Sequence, residues 1–212
     1  MKYLIANNSI DKEINNLIYT ILMDIKKNYR TNLISIKALD KYTLDHSLNV
    51  AILSLRLGVA LNMSYEDLYE LGVGALLHDI GKIFIPLSIL NKKDKLTEEE
   101  FETIKKHTMI GYEYTKFASN IPINSKLAIL EHHERINGTG YPNNRTADEI
   151  HRFAKIVSIC DVYDAYTSKR VYKQAKKSEG AIDFIDDNAN TLFDKDLSHV
   201  FINQVYKTIK AS

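Results

Sequence analysis

Hydrophobic positions along this chain recur every three or four residues rather than every two, and that period predicts an all-α fold. Across residues 13–27, Ile14, Leu17, Ile18, Ile21, Leu22 and Ile25 recur at helical spacing. A second run over residues 44–61 puts Leu48, Ile52, Leu55 and Val59 on one side. Ser64, with Asp67 three residues on, caps a third helix running toward Leu77. Thr97 and Glu100 form a capping box ahead of Phe101, Ile104 and Ile110. Thr146 and Glu149 form another ahead of Ile150, Phe153, Ile156 and Val157. The last helices are expected over 178–188 and 197–209. Alternating runs of β-branched and polar residues are almost absent, and no Gly/Ser-rich linker or internal repeat divides the chain. The expectation is one domain over residues 1–212, in which residues 1 to about 40 form lead-in helices packed on the rest, with no separate sensor domain.

Charge and composition narrow this picture only a little. A net charge of +1 argues against a dedicated duplex nucleic-acid binder, yet leaves room for a small phosphorylated ligand. Cys160 is the sole cysteine, so no intrachain disulfide forms and a reducing compartment fits. No apolar run approaches the roughly 18 residues that would span a bilayer. The opening MKYLIANNSIDKE does not resemble a signal peptide, and a soluble cytoplasmic protein with no membrane contact is expected.

The chemistry lies in the histidines. In GALLHDIGK, His78 and Asp79 stand at the end of an apolar helix that Gly81 is expected to terminate. Together they offer a metal an imidazole nitrogen and a carboxylate, although such a pair alone is more often a buried His bonded to its neighbour. His46 lies on an amphipathic helix and His107 on the helix that Thr97 caps. His132 and His133 end another helix, and Asp161 lies on the last strongly apolar one. Candidate ligands spread over several helices are how helical bundles build metal sites. Adjacent His132 and His133 would point about 100° apart on a helix and so could serve two neighbouring ions.

The ordered series YTLDHS, HDIGK, KKHTMIG, HHERINGTGYP and DVYDAYTSKRVYK resembles the HD-GYP domain, a subgroup of HD-superfamily metal-dependent phosphohydrolases, over almost the whole chain. The resemblance implies an HD-type helical bundle with a metal site between its helices. It implies His46, His78, Asp79, His107, His132, His133 and Asp161 as ligands of two divalent ions, iron or manganese, with Asp79 bridging. Lys82 matches the family lysine beside the attacking hydroxide, making Asp79 and Lys82 the catalytic pair. Tyr141 would stand near the nucleotide, and Arg170 and Lys173 would meet its phosphates or bases. Asp40 and Asp164 would be polar supports at the substrate side. The implied activity is a phosphodiesterase opening cyclic di-GMP to pGpG, with GMP left open as a further product. A diguanylate cyclase (GGDEF) domain is the implied protein partner.

Three positions depart from the family pattern. Tyr42 stands where some members carry a third-metal glutamate, which favours two ions. Asn137 replaces an aspartate in the HHExxDGxGYP segment, and Val171 replaces a common proline. Asn137 keeps an acceptor oxygen for a backbone amide. Two alternatives stay open: a cyclic-dinucleotide-binding or protein-interaction module without turnover, and an HD hydrolase of another cyclic dinucleotide such as cyclic GMP-AMP.

Overall fold

The computed structural model describes residues 9–28, 41–168 and 178–210. These form helices α1 (Ser9–Asn28), α2 (Lys41–Ala60), α3 (Tyr65–Leu77), a 3-10 helix (Ile80–Phe84) and α4 (Leu87–Leu90). They continue through α5 (Glu98–Lys105), α6 (His107–Lys116), α7 (Ile123–Glu131), α8 (Arg152–Thr167), α9 (Ser178–Asp187) and α10 (Lys195–Lys210). Among the described residues, β pairing is limited to isolated bridges, Asn137 with Thr146 and Ala189 with Phe193. None of the described helices is long and apolar enough to cross a membrane.

Helices α2, α3, α7 and α8 pack on one another around Leu55, Leu71, Ile129, Ile156 and Ile159, all sealed from solvent. The i, i+3, i+4, i+7 stripe Ile14, Leu17, Ile18 and Ile21 lays α1 on α2 and α3. Ser64 caps α3 by accepting the Asp67 amide at 3.1 Å, and Thr97 and Glu100 close a reciprocal capping box on α5.

Three sequence-based expectations are corrected here. First, Thr146 and Glu149 do not cap α8. Glu149 accepts the Thr146 amide at 2.8 Å within a turn, while His151 caps the helix, Nδ1 accepting from the Phe153 amide at 3.2 Å. Second, α3 ends at Leu77 with His78 as its cap, so Gly81 falls inside the 3-10 helix rather than at the α-helical end. Third, His107 is not on the Thr97-capped helix: α5 stops at Lys105 and His107 begins α6. The break has a local cause. The Ile104 carbonyl accepts His107 Nδ1–H at 2.7 Å, and the Lys105 carbonyl accepts the Thr108 hydroxyl at 3.2 Å. Side chains thus take carbonyls that a continuous helix would use.

One buried lysine ties two helices. Lys126 on α7 donates to the carbonyls of Lys116 and Ala118 at 3.0 Å each, satisfying the C-terminal end of α6 and the turn after it. Lys126→Met leaves those carbonyls without their charged donor and should cost about 1–3 kcal/mol, read as a lower denaturant midpoint at unchanged slope.

Candidate metal centre and adjoining cleft

The helix ends bring six of the seven proposed ligands into a chain of close contacts. Asp79, His107, His132 and His133 each offer an atom within 4.8 Å of the others, and His46, His78 and Asp79 form a second such group. Asp79 belongs to both. Asp161 joins through His46, its Oδ1 lying 3.1 Å from His46 Nε2. His132 and His133 fall within one such group of candidate ligand atoms, so adjacency alone does not divide them between two ions. They sit at and past the end of α7, where helical spacing no longer governs their directions.

Three imidazoles are oriented by one local device. His78, His107 and His132 direct Nδ1 at the carbonyl three residues back, on Ala75, Ile104 and Ile129, at 2.8, 2.7 and 2.9 Å. A carbonyl only accepts, so Nδ1 carries the proton and, in the neutral ring, Nε2 presents a lone pair inward. Burial, above all, pushes His107 down to about 4 and His132 well below the ordinary histidine range. Their two Nε2 atoms lie 3.3 Å apart, and His107 Nε2 lies 3.3 Å from Asp79 Oδ1. Lone pairs and a carboxylate so close repel unless a cation lies among them.

Other groups sharpen this. Among the described residues, His78 Nε2 and Asp79 Oδ1 are sealed from solvent with no hydrogen-bond partner. Such orphaned atoms are costly in a dry interior. Burial opposes charge on Asp79, but the Lys82 ammonium, 2.5 Å from Oδ2, and the neighbouring imidazoles hold its carboxyl well below the usual range. His46 differs. Burial works against its protonation, but Asp161 and Asp164 outweigh it and raise the ring to about 9. The imidazole and carboxylate donors, with unmatched buried atoms, fit divalent metal ions that accept mixed nitrogen and oxygen ligands.

Asp164 is fully buried behind His46, its Oδ2 2.7 Å from Nδ1, while Oδ1 accepts from Asn49 at 3.1 Å and Ser168 at 2.9 Å. It is a support for His46, not a surface a substrate can touch. Asp40, Arg170, Lys173 and Val171 lie outside the described residues, as does the side chain of Tyr42.

Beyond His133 the chain turns through Gly138, at φ +77°, and returns to stack Tyr141 on His133 with ring centroids 4.7 Å apart. Gly140 passes so close to Glu134 that a Cβ there would come within 2.4 Å of its Cα. Asn137 Oδ1 accepts the Thr139 amide at 3.1 Å and its hydroxyl at 2.7 Å, so the asparagine supplies the acceptor that the turn needs.

Sequence reasoning missed what anchors this loop. Glu134 is buried and accepts the amides of Asn143 and Arg145 at 2.7 and 3.0 Å. Glu131, at the end of α7, is fully buried. It pairs with Arg145 at 2.5 Å and accepts the His151 amide at 2.8 Å. A usable signal was present: two acids flank the histidine pair just ahead of a glycine turn whose amides need acceptors.

Between the loop and helices α5 and α6 runs a cleft of about 670 Å³, with His133 and Tyr141 on one wall and Phe101, Lys105 and Met109 on the other. It opens beside the ligand cluster, of which His133 is the member that lines it.

The HD domain family model matches residues 25–197. A cyclic di-GMP phosphodiesterase of Pseudomonas aeruginosa is 38% identical over 155 residues, 73% of this chain and 37% of that protein. The 3'3'-cGAMP-specific phosphodiesterase 3 of Vibrio cholerae is 32% identical over 75% of this chain and 34% of its own length. The chain therefore spans little more than a third of these two relatives. The solved structure of Bd1817, an HDG"Y"P protein from Bdellovibrio bacteriovorus, superposes with a TM-score of 0.67 at 20% identity, over 93% of this chain and 64% of that one. That likeness speaks to the fold.

Proposed function

Because the chain belongs to the HD domain family, matched over residues 25–197 and carrying the HD-GYP motif series, we propose that it is a metal-dependent phosphodiesterase that hydrolyses cyclic di-GMP. The observation that carries this reading is the convergence of inward Nε2 atoms on Asp79, with buried atoms left unmatched, behind His133, which lines a cleft of about 670 Å³. His46, His78, Asp79, His107, His132, His133 and Asp161 would hold two divalent ions, iron or manganese, with Asp79 common to both. When bound, such ions neutralise phosphate oxygens and make the attacking water more acidic.

The chain's own residues do the rest. The carbonyls of Ala75, Ile104 and Ile129 hold three imidazoles in one tautomer, and Asp164 orients His46. Lys82 places its ammonium beside Asp79, where it can stabilise charge developing on the phosphate. Tyr141 presents its ring to the cleft from its stack on His133. Arg170 and Lys173 would meet the phosphates, Arg170 through its planar fork. In the reaction, water adds to phosphorus, the bond to the 3′ oxygen breaks, and that oxygen leaves with a proton from solvent. The product is pGpG, with a second cut giving GMP. Contact with a diguanylate cyclase domain belongs to this proposal and rests on the resemblance.

Chelator-stripped protein should lose turnover of cyclic di-GMP, and adding back Fe(II) or Mn(II) should restore it, with product identified chromatographically. Full turnover by the stripped protein would sink the reading, as would tight nucleotide binding by loaded protein with no product. The similarity to a cGAMP-specific relative makes cyclic GMP-AMP the substrate to compete against cyclic di-GMP in the same assay.

A further inference from the structure

Helix α5 presents three side chains to the cleft that the reaction described so far does not use: Phe101, Glu102 and Lys105. Phe101 is 46% exposed, a large ring left in solvent one turn from the site. Lys105 Nζ sits 5.0 Å from the Phe101 ring centroid and 5.7 Å from that of Tyr141, between the two walls of the cleft. It also lies 2.6 Å from Glu102 Oε1. A carboxylate and an ammonium are thus held side by side, one turn apart on a helix, with the ammonium between two aromatic faces.

Resting on the phosphodiesterase reading above, we infer that Glu102 and Lys105 form a guanine-reading subsite, with Phe101 and Tyr141 supplying its apolar walls. The Watson–Crick edge of guanine carries two adjacent donors, N1–H and the N2 amino group, and one acceptor, O6. A carboxylate accepts from both donors, and a neighbouring ammonium donates to O6. Adenine reverses this edge: its N1 accepts and its 6-amino group donates. It would set a lone pair against the carboxylate and a donor against the ammonium. Discrimination arises because that mismatch falls at the point where the bound base displaces water from both the carboxylate and the ammonium. The ionic pair also costs the free protein little, because both side chains reach solvent when the cleft is empty, Glu102 at 63% and Lys105 at 29% exposure. Glu102, Lys105 and Phe101 are outside the candidate ligand groups and meet the cleft on the wall facing His133, so the subsite governs binding and base choice and not the chemical step.

Glu102→Ala is the test, since alanine suits an exposed helical position and Glu102 has no part in the ligand cluster. Metal-loaded parent and variant are compared in kcat and KM for cyclic di-GMP, and in the inhibition constant of cyclic di-AMP as competitor. The expected result is a KM for cyclic di-GMP raised about tenfold or more, with kcat within about twofold and cyclic di-AMP binding unchanged or tighter. Lys105→Met should raise the same KM through loss of the O6 donor. An unchanged KM in Glu102→Ala, or KM and the inhibition constant rising by the same factor, overturns the inference while leaving the phosphodiesterase reading intact. A metal-loaded parent without turnover of cyclic di-GMP overturns that reading instead, and the guanine subsite falls with it.

Discussion

On the proposed phosphodiesterase reading, in which two ions share Asp79, Asp79→Asn is expected to lower turnover of cyclic di-GMP by roughly 10³-fold or more and to lower the bound metal per chain. Asp79 is the one residue shared by both ligand groups, and its two oxygens face different partners. Oδ1 lies 3.3 Å from His107 Nε2, and Oδ2 lies 3.3 Å from His78 Nε2 and 2.5 Å from Lys82. An asparagine keeps the shape but removes the negative charge and turns one arm into a donor. That arm can bond directly to an inward Nε2 lone pair and occupy the place of a cation. Several kcal/mol of transition-state stabilisation disappear with the ions, and each 1.36 kcal/mol is a factor of ten in rate. Metal analysis and single-substrate kinetics on one preparation give the answer. A helical circular dichroism spectrum matching the parent separates lost chemistry from lost folding. A variant that kept two ions and full rate would remove Asp79 from the centre of the site.

The second large effect is expected at a residue that carries no side chain. Gly81→Ala should destabilise the fold by about 3 kcal/mol and weaken metal binding as well. A Cβ on residue 81 would stand 1.9 Å from the His107 carbonyl oxygen and 2.7 Å from the Gly111 nitrogen, both backbone atoms that cannot rotate away. The 3-10 helix carrying Lys82 and the first turn of α6 carrying His107 touch there. The strain therefore acts on two site residues at once, pushing His107 from Asp79. The denaturant midpoint should fall, and metal content at fixed free metal should fall with it. A variant as stable as the parent, with full metal content, would mean that this contact is looser than the geometry shows.

The parts of this protein that were legible in its sequence share a physical property: their determinants are local. The stripe on α1, the capping pairs Ser64 with Asp67 and Thr97 with Glu100, and the all-α character follow from spacing within one or two turns. The candidate ligands were legible for a related reason, since few side chains bind metals and these recur in an ordered series. Where local rules misled, a nonlocal or competing bond had won. The Thr97 helix would have continued through His107, but the imidazole took the Ile104 carbonyl and the chain restarted as α6. Glu149 closed a turn instead of a helix cap because the loop after Tyr141 is pinned further back, by Glu134 and Glu131.

The sequence by itself determined which residues could do chemistry and that they would ride on helices, because residue type and period are properties of the chain alone. Only the tertiary structure decided that His132 and His133 share a group, that Asp79 belongs to two, and that Asp164 stands behind His46 rather than facing substrate. It also placed Glu102 and Lys105 across a cleft from Tyr141. Those relations depend on where helices α2, α3, α5, α6, α7 and α8 meet, set by packing between segments up to about a hundred residues apart. No pattern within one helix encodes such distances, since a side chain's partner across the core is fixed only once the core has formed.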